Sequence, residues 1–257
     1  MVQEAIGSVM GQTYRDFEVI VVDDGSDDNT LEVLAGYGPL FRVHSQPRRG
    51  VAAARNCGVA CAAGSHLAFL DSDDLWTPRK LEIQVAFMQE RPWVQICQTE
   101  EVWIRHGVRV NPKKKHRKPS GDIFRPSLDL CLVSPSAVMI KRELFDSVGG
   151  FDESLPACED YDLWLRIGRF HLVPLIDQLL VIKRGGHPDQ LSRSIWGLDR
   201  FRVEALRKLL ATGLESPRRE WALAALKRKL AILSHGARKR GNEEIAQSYE
   251  AVLSSSV

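Results

Sequence analysis

Phe69-Leu70-Asp71-Ser72-Asp73-Asp74 is the stretch from which the rest of the chain is read. His66-Leu67-Ala68-Phe69-Leu70 is a short apolar run with the length and composition of a buried strand. Three carboxylates follow at once, where an open parallel sheet places its ligand-facing loops. Thr77-Pro78 then reads as the N-cap and first-turn proline of a helix whose apolar face is Leu81, Val85 and Met88. The acids therefore fall on a strand-to-helix turn. Crowded carboxylates repel one another unless a cation or hydrogen-bond donors offset the charge. Taken alone, the same residues also fit a solvated turn with a capping aspartate.

Upstream, Val2, Ile6, Val9 and Met10 recur at helical spacing. Residues 17–22 form a strong strand pattern that ends on Asp23-Asp24-Gly25-Ser26. Ser26 or Asp27 can cap the next helix, with Leu31 and Leu34 on its inner side. Residues 41–44 read as a short strand. Arg49-Gly50 opens a helix of small residues that carries Arg55 and Asn56 and allows close backbone approach. The order is a βαβ series with acids at two successive strand ends.

The second half changes character. Residues 94–97 and 102–105 are strand-like, and His106-Gly107 can turn a hairpin. Lys113-Lys114-Lys115-His116-Arg117-Lys118 reads as a solvated loop, the alternatives being contact with a phosphorylated acceptor or an anionic membrane surface. Residues 136–140 form another apolar strand, followed by a short helix ending at Gly149-Gly150. From Asp160 the spacing is helical, with Leu163, Trp164 and Ile167 inward and Asp162 on the surface. Residues 179–182 are strand-like. From about Asp199 onward the chain reads as helices packed on the main fold.

At 257 residues and a formal charge of +2, acids and bases nearly balance, so charge alone singles out no partner and no nucleic acid. Cys57, Cys61, Cys97, Cys131 and Cys158 lack metal-finger spacing and read as packed thiols in a reducing, cytoplasmic setting. No apolar run approaches the roughly 18 residues of a membrane span, and Met1-Val2-Gln3-Glu4 does not read as a signal peptide.

Asp23-Asp24, Arg55-Asn56, Asp71-Ser72-Asp73 and Glu159-Asp160 each fall at a strand end or helix start, with His187 downstream. Together they resemble a family 2 (inverting, GT-A fold) nucleotide-sugar glycosyltransferase. The strand ending in Asp23-Asp24-Gly25-Ser26 is similar to the family's DDGS strand, and residues 50–58 to its G-x-x-x-A-R-N-x-G segment. Residues 69–74 are similar to its DxD turn, and Glu159-Asp160 to its acceptor-side ED motif.

The resemblance implies an α/β, GT-A (Rossmann-like), mostly parallel sheet flanked by helices over residues 1–195, with a C-terminal helical extension over 196–257. It implies that Asp24, supported by Asp23, contacts the nucleotide, with Arg55 near the base and diphosphate. Asp71 would hold the ribose or sugar side, and Asp73 and His187 a divalent cation, Mn²⁺ or Mg²⁺. Asp160 would be the catalytic base, with Glu159 and Trp164 on the acceptor side in support. Trp164 also reads as core, and His187 as a structural histidine. The implied partners are a nucleoside-diphosphate sugar donor and a hydroxyl-bearing glycan or lipid-linked acceptor. Peripheral contact with the inner face of the membrane and a homo-oligomer are both compatible with this reading.

Members usually begin with a strand before the first helix found here, so sheet edges are expected to be exposed. That departure leaves a second expectation open, a nucleotide-sugar-binding or partner-binding protein without turnover.

Overall fold

The structure is a computed structural model describing residues 1–111, 113–187 and 195–255. The chain runs α1 (Val2–Met10), β1 (Ile20–Asp23), α2 (Thr30–Ala35), β2 (Arg42–Ser45), α3 (Val51–Cys61) and β3 (His66–Ala68). β4 (Leu75–Trp76), α4 (Lys80–Glu90), β5 (Ile96–Arg105), β6 (Val108–Val110) and α5 (Phe124–Ser127) follow. The last elements are β7 (Val138–Lys141), α6 (Arg142–Ser147), α7 (Glu159–Gly168), β8 (Leu175–Gly185), α8 (Asp199–Ala211), α9 (Arg218–Lys239) and α10 (Glu243–Ser255).

The α/β architecture matches the expectation, but the strand directions are mixed rather than mostly parallel. β1 pairs with β2 in parallel, as the α2 crossover requires. The larger sheet has the order β3-β7-β5-β8-β4, with β6 on β5, and only its β5–β8 ladder is parallel. The two-residue turn at His106-Gly107 forces β5 and β6 antiparallel, with His106 at φ 49° and Gly107 at φ 77°. β1 has β2 as its one ladder partner among the described residues, and Ile20, Val21 and Val22 are only half-buried.

Residues 94–97 and 102–105, read as two strands, fall on the single β5, which begins at Ile96. Gln98 and Thr99 are fully buried in it despite their polarity, and the register shifts at Thr99–Glu101. Gln98 Nε2 donates to Pro119 O at 2.8 Å, which removes the cost of burying that amide nitrogen. α2 starts at Thr30 rather than at Ser26 or Asp27, and Leu31 faces solvent while Leu34 is buried. α4 starts two residues after Pro78, because Thr77 spends its carbonyl on Lys80 N and Gln12 Nε2.

One apolar cluster joins α3, β3, β7 and α7 through Ala52, Leu67, Ile140, Leu163 and Trp164. A second joins α5 and α7 to the C-terminal helices through Phe124, Tyr161, Leu165, Leu206 and Leu226. α7 is therefore packed from both sides, which fixes its N-terminus where the site lies. Among the described residues no helix is long and apolar enough to cross a membrane.

Candidate functional site

Arg55 on α3 ties the two acidic motifs together. Its Nη2 donates to Asp71 Oδ1 at 2.7 Å, and its Nη1 to Glu159 Oε1 at 2.6 Å. The guanidinium also lies 5.1 Å from the centre of the Phe151 ring. Phe151 is held by the next residue of α3, as Asn56 Oδ1 accepts from Phe151 N and Asn56 Nδ2 donates to Phe151 O. Gly150, at φ 67°, leaves room for this, since a Cβ there would sit 3.0 Å from Asn56 Oδ1. The Arg-Asn pair thus spans from the turn after β3 to the start of α7.

That turn is held by Ser136, whose hydroxyl accepts from Asp71 N at 3.2 Å and donates to Asp74 Oδ2 at 2.7 Å. Asp74 Oδ1 accepts from Arg184 N on β8 at 3.0 Å. Asp74 is 1% exposed rather than solvated, and burial plus the nearby Asp71 charge pushes its carboxyl up to about 7. Burial pushes Asp71 the same way, but the Arg55 charge outweighs it and holds that carboxyl below its usual range. Asp73 Oδ2 lies 2.9 Å from His187 Nε2. Carboxylate oxygens of Asp71, Asp73 and Asp74 come within 4.8 Å of one another, a hard donor set suited to a divalent cation. The remainder of the histidine segment, residues 188–194, lies outside the described residues.

α7 opens from Cys158, whose left-handed conformation (φ 63°) is unusual for a residue other than glycine. Glu159 is buried, and burial together with the Asp160 charge pushes it up to about 7 against the pull of Arg55. Asp160 Oδ1 accepts from Tyr161 N at 2.7 Å, while Oδ2 accepts from Cys131 Sγ at 3.2 Å and faces a cleft. The cleft, about 160 Å³, is also lined by Lys183 and Arg184 of β8. Lys183 Nζ donates to Ser134 Oγ at 3.1 Å. Burial favours the neutral amine of Lys183, but Glu101, Asp74, Asp71 and Asp160 together hold it charged.

Asp71, Asp73, Arg55, Glu159, Asp160 and His187 thus gather along one rim. Asp24 instead receives Arg49 N, Gly50 N and Gln46 Nε2 at 2.7–2.8 Å and secures the loop entering α3. Asp23, 5% exposed, accepts from Ser26 N behind it. Trp164 does not reach the acceptor side: it is 1% exposed and packs against the edge of Phe151 within the core. Its indole is large and apolar enough that the core claims it. Asp162, read as a surface acid, is buried and paired with Arg166, which donates to the Val148 and Gly150 carbonyls.

Sequence reasoning missed Asp74, Ser136, Cys131 and Lys183. For Lys183 a signal was present: a lysine closing the apolar run Leu179-Leu180-Val181-Ile182 sits on a strand that dips into the core.

The family model for glycosyl transferase family 2 matches residues 1–149. Among curated relatives, uncharacterized glycosyltransferases of several Rickettsia species are 30–31% identical; the chain spans 29–62% of their length. WfaP of Escherichia coli, a UDP-Glc:α-D-GlcNAc-diphosphoundecaprenol β-1,3-glucosyltransferase, is 30% identical over 169 residues, covering 63% of this chain and 62% of that one. The fold is similar to S. aureus TarS 1-349 in complex with UDP-GlcNAc, with TM-score 0.68, 17% identity, and 97% and 88% of the two chains covered. It is also similar to the Pyrobaculum calidifontis mannosyltransferase PcManGT in complex with GDP-Man and Mn²⁺, with TM-score 0.59, 20% identity, and 99% and 79% covered. With a GT-A-like fold and a family match over more than half its length, the chain belongs to glycosyl transferase family 2.

Proposed function

We propose that this protein transfers a sugar, with inversion, from a nucleoside-diphosphate sugar to a hydroxyl acceptor in glycan synthesis, using a divalent cation. The observation that carries the reading is the Arg55 bridge, which sets the Asp71-Ser72-Asp73 turn beside Glu159-Asp160. Ligands named for structural neighbours, UDP-GlcNAc and GDP-Man with Mn²⁺, and the glycan acceptor in the WfaP name support it. The catalytic unit is residues 1–195, with the helices from 196 onward bracing α7.

Asp73 and His187 would hold the cation, with Asp71 and Asp74 within reach of the same point. When bound, such a cation neutralises charge growing on the departing diphosphate. Arg55 and Lys183 place fixed positive charge in the same region, where a partly desolvated site makes it count for more than in water. Asp160 accepts the proton of the acceptor hydroxyl as that oxygen attacks the anomeric carbon from the face opposite the diphosphate. The C–O bond to the diphosphate breaks as the new C–O bond forms, so the configuration inverts. Tyr161 N and the Cys131 thiol donate to the Asp160 carboxylate and fix its orientation. Glu159, pinned by Arg55, holds the first turn of α7 in place. Asp24 would meet the base or ribose from the loop it secures.

The test is a thermal-shift screen with UDP, GDP and their sugars, with and without Mn²⁺. The expected result is a rise in melting temperature that grows with ligand concentration, needs Mn²⁺ or Mg²⁺, and is reversed by EDTA. If no nucleotide shifts the transition with metal present, the donor-site assignment fails.

A further inference from the structure

We propose that the cleft wall facing Asp160 is a subsite for a phosphate-bearing acceptor, built from Arg105, His116 and Lys183 around the Trp103 indole, with Lys118 buried in its pair with Glu101. The proposal rests on the reading of Asp160 as the base that meets the acceptor.

The basic run 113–118 is not simply a solvated loop. Lys113, Lys114, Lys115 and Arg117 are exposed, but His116 is half-buried and Lys118 is 6% exposed. Asp160 lines the same cleft as Trp103, Arg105, His116, Lys118 and Lys183. Trp103 organises this wall. Its Nε1 donates to Glu101 Oε1 at 2.8 Å, the His116 ring lies 5.4 Å from its ring, and the Arg105 guanidinium 5.6 Å from its centre. Glu101 in turn pairs with Lys118 at 3.0 Å. The cationic side chains are thus held before any ligand arrives, which lowers the ordering cost of binding.

Charge on this wall is unbalanced. Glu101 and Asp160 are the acids lining the cleft, against Arg105, Lys118, Lys183 and Arg184, and both lysines raise the preference of Glu101 for its charged form. Arg105 and the exposed Lys113, Lys114 and Arg117 add positive charge around the same indole, against Glu100 alone. A neutral sugar gains little from such a wall, since it needs acceptors as well as donors. A phosphate offers a double charge and oxygens in several directions, which suits a guanidinium, an ammonium and an imidazole N–H converging from different elements. A planar carboxylate would engage fewer of them. Cations that serve an anionic membrane are expected on an open surface; Lys113, Lys114, Lys115 and Arg117 are exposed in that way, whereas Arg105, His116, Lys118 and Lys183 line the cleft of the base.

The probes are a hexose 1-phosphate and the matching neutral methyl hexoside, each titrated calorimetrically into protein saturated with UDP and Mn²⁺. The phosphorylated sugar is expected to bind roughly tenfold or more tightly. The preference should shrink with added salt and disappear in an Arg105→Ala/His116→Ala variant, which leaves the Lys118–Glu101 pair in place. Should that variant fold poorly, the salt dependence of the unmodified protein carries the same test. Stronger binding of the same sugar on a long-chain alkyl diphosphate marks a lipid-linked source, and equal binding a soluble one; both support the phosphate subsite. Equal affinity for charged and neutral sugars, binding of neither, or a preference that survives the variant overturns it. So does loss of binding to anionic phosphatidylglycerol vesicles in the variant with the sugar preference unchanged. Failure of UDP itself to bind with Mn²⁺ would instead sink the donor-site reading.

Discussion

Arg55 carries more of the site than any other side chain, because two acids from distant parts of the chain depend on its charge. Removing one partner from a buried pair leaves the other charge without compensation, at a cost of about 3–5 kcal/mol. Asp71 keeps 32% of its side-chain surface in water, so the lower end applies. Arg55→Ala is therefore expected to lose roughly 3 kcal/mol in chemical denaturation, and Arg55→Lys to recover only part of it. An Arg55→Ala protein as stable as the parent would mean that the bridge organises nothing. The motif residues were legible in the sequence because their types and spacing announce their chemistry. Asp74 and Ser136 were not: nothing near Asp74 signals that Ser136, 62 residues away, buries and holds it. Trp164, read both as core and as acceptor-side support, resolves to the core, where the helical spacing of Leu163, Trp164 and Ile167 already turns it inward.

At the scale of elements, α4 shows how packing overrides pattern. Its first residue, Lys80, is fully buried, with Nζ 3.9 Å from the centre of the Trp76 ring and 3.3 Å from Val138 O. Burial pushes its amine down to about 7. The folded value lies below the unfolded one, so the unfolded chain binds more protons between about pH 7 and 10.5. Folding stability should therefore climb with pH across that window, with the full penalty present below about pH 7. Lys80→Met is expected to flatten the climb and to be at least as stable as the parent at pH 6; urea melts across pH 6–10 measure both. Identical slopes in the two proteins would contradict the buried-amine assignment. α1 and α7, with clear apolar spacing, and α3, with its run of small residues, were readable, as was the hairpin at His106-Gly107. The middle of β5 was not, because Gln98-Thr99-Glu100-Glu101 has a loop's composition and becomes strand through the β7 and β8 ladders, with the Gln98 and Glu101 side chains taken up by Pro119 and Lys118.

Across the whole molecule, the sheet order and the mixed strand directions were out of reach of local pattern. They depend on which distant strands pair, as when β5 lies between β7 and β8. The convergence of the acidic motifs is a property of that topology: β3 and its turn, β8 and the start of α7 meet because α7 is packed between the main core and the C-terminal helices. The proposed mechanism divides labour across one rim, with Asp73 on the donor side and Asp160 on the acceptor side. The most direct measurement compares Asp73→Ala and Asp160→Asn for UDP binding with Mn²⁺ and for release of nucleoside diphosphate from nucleotide sugars. Asp73→Ala should lose both metal-dependent binding and turnover. Asp160→Asn should bind UDP as the parent does while turnover falls by roughly 10²–10⁴-fold. Asp160→Asn turning over at the parent rate, or Asp73→Ala retaining Mn²⁺-dependent UDP binding, would contradict it.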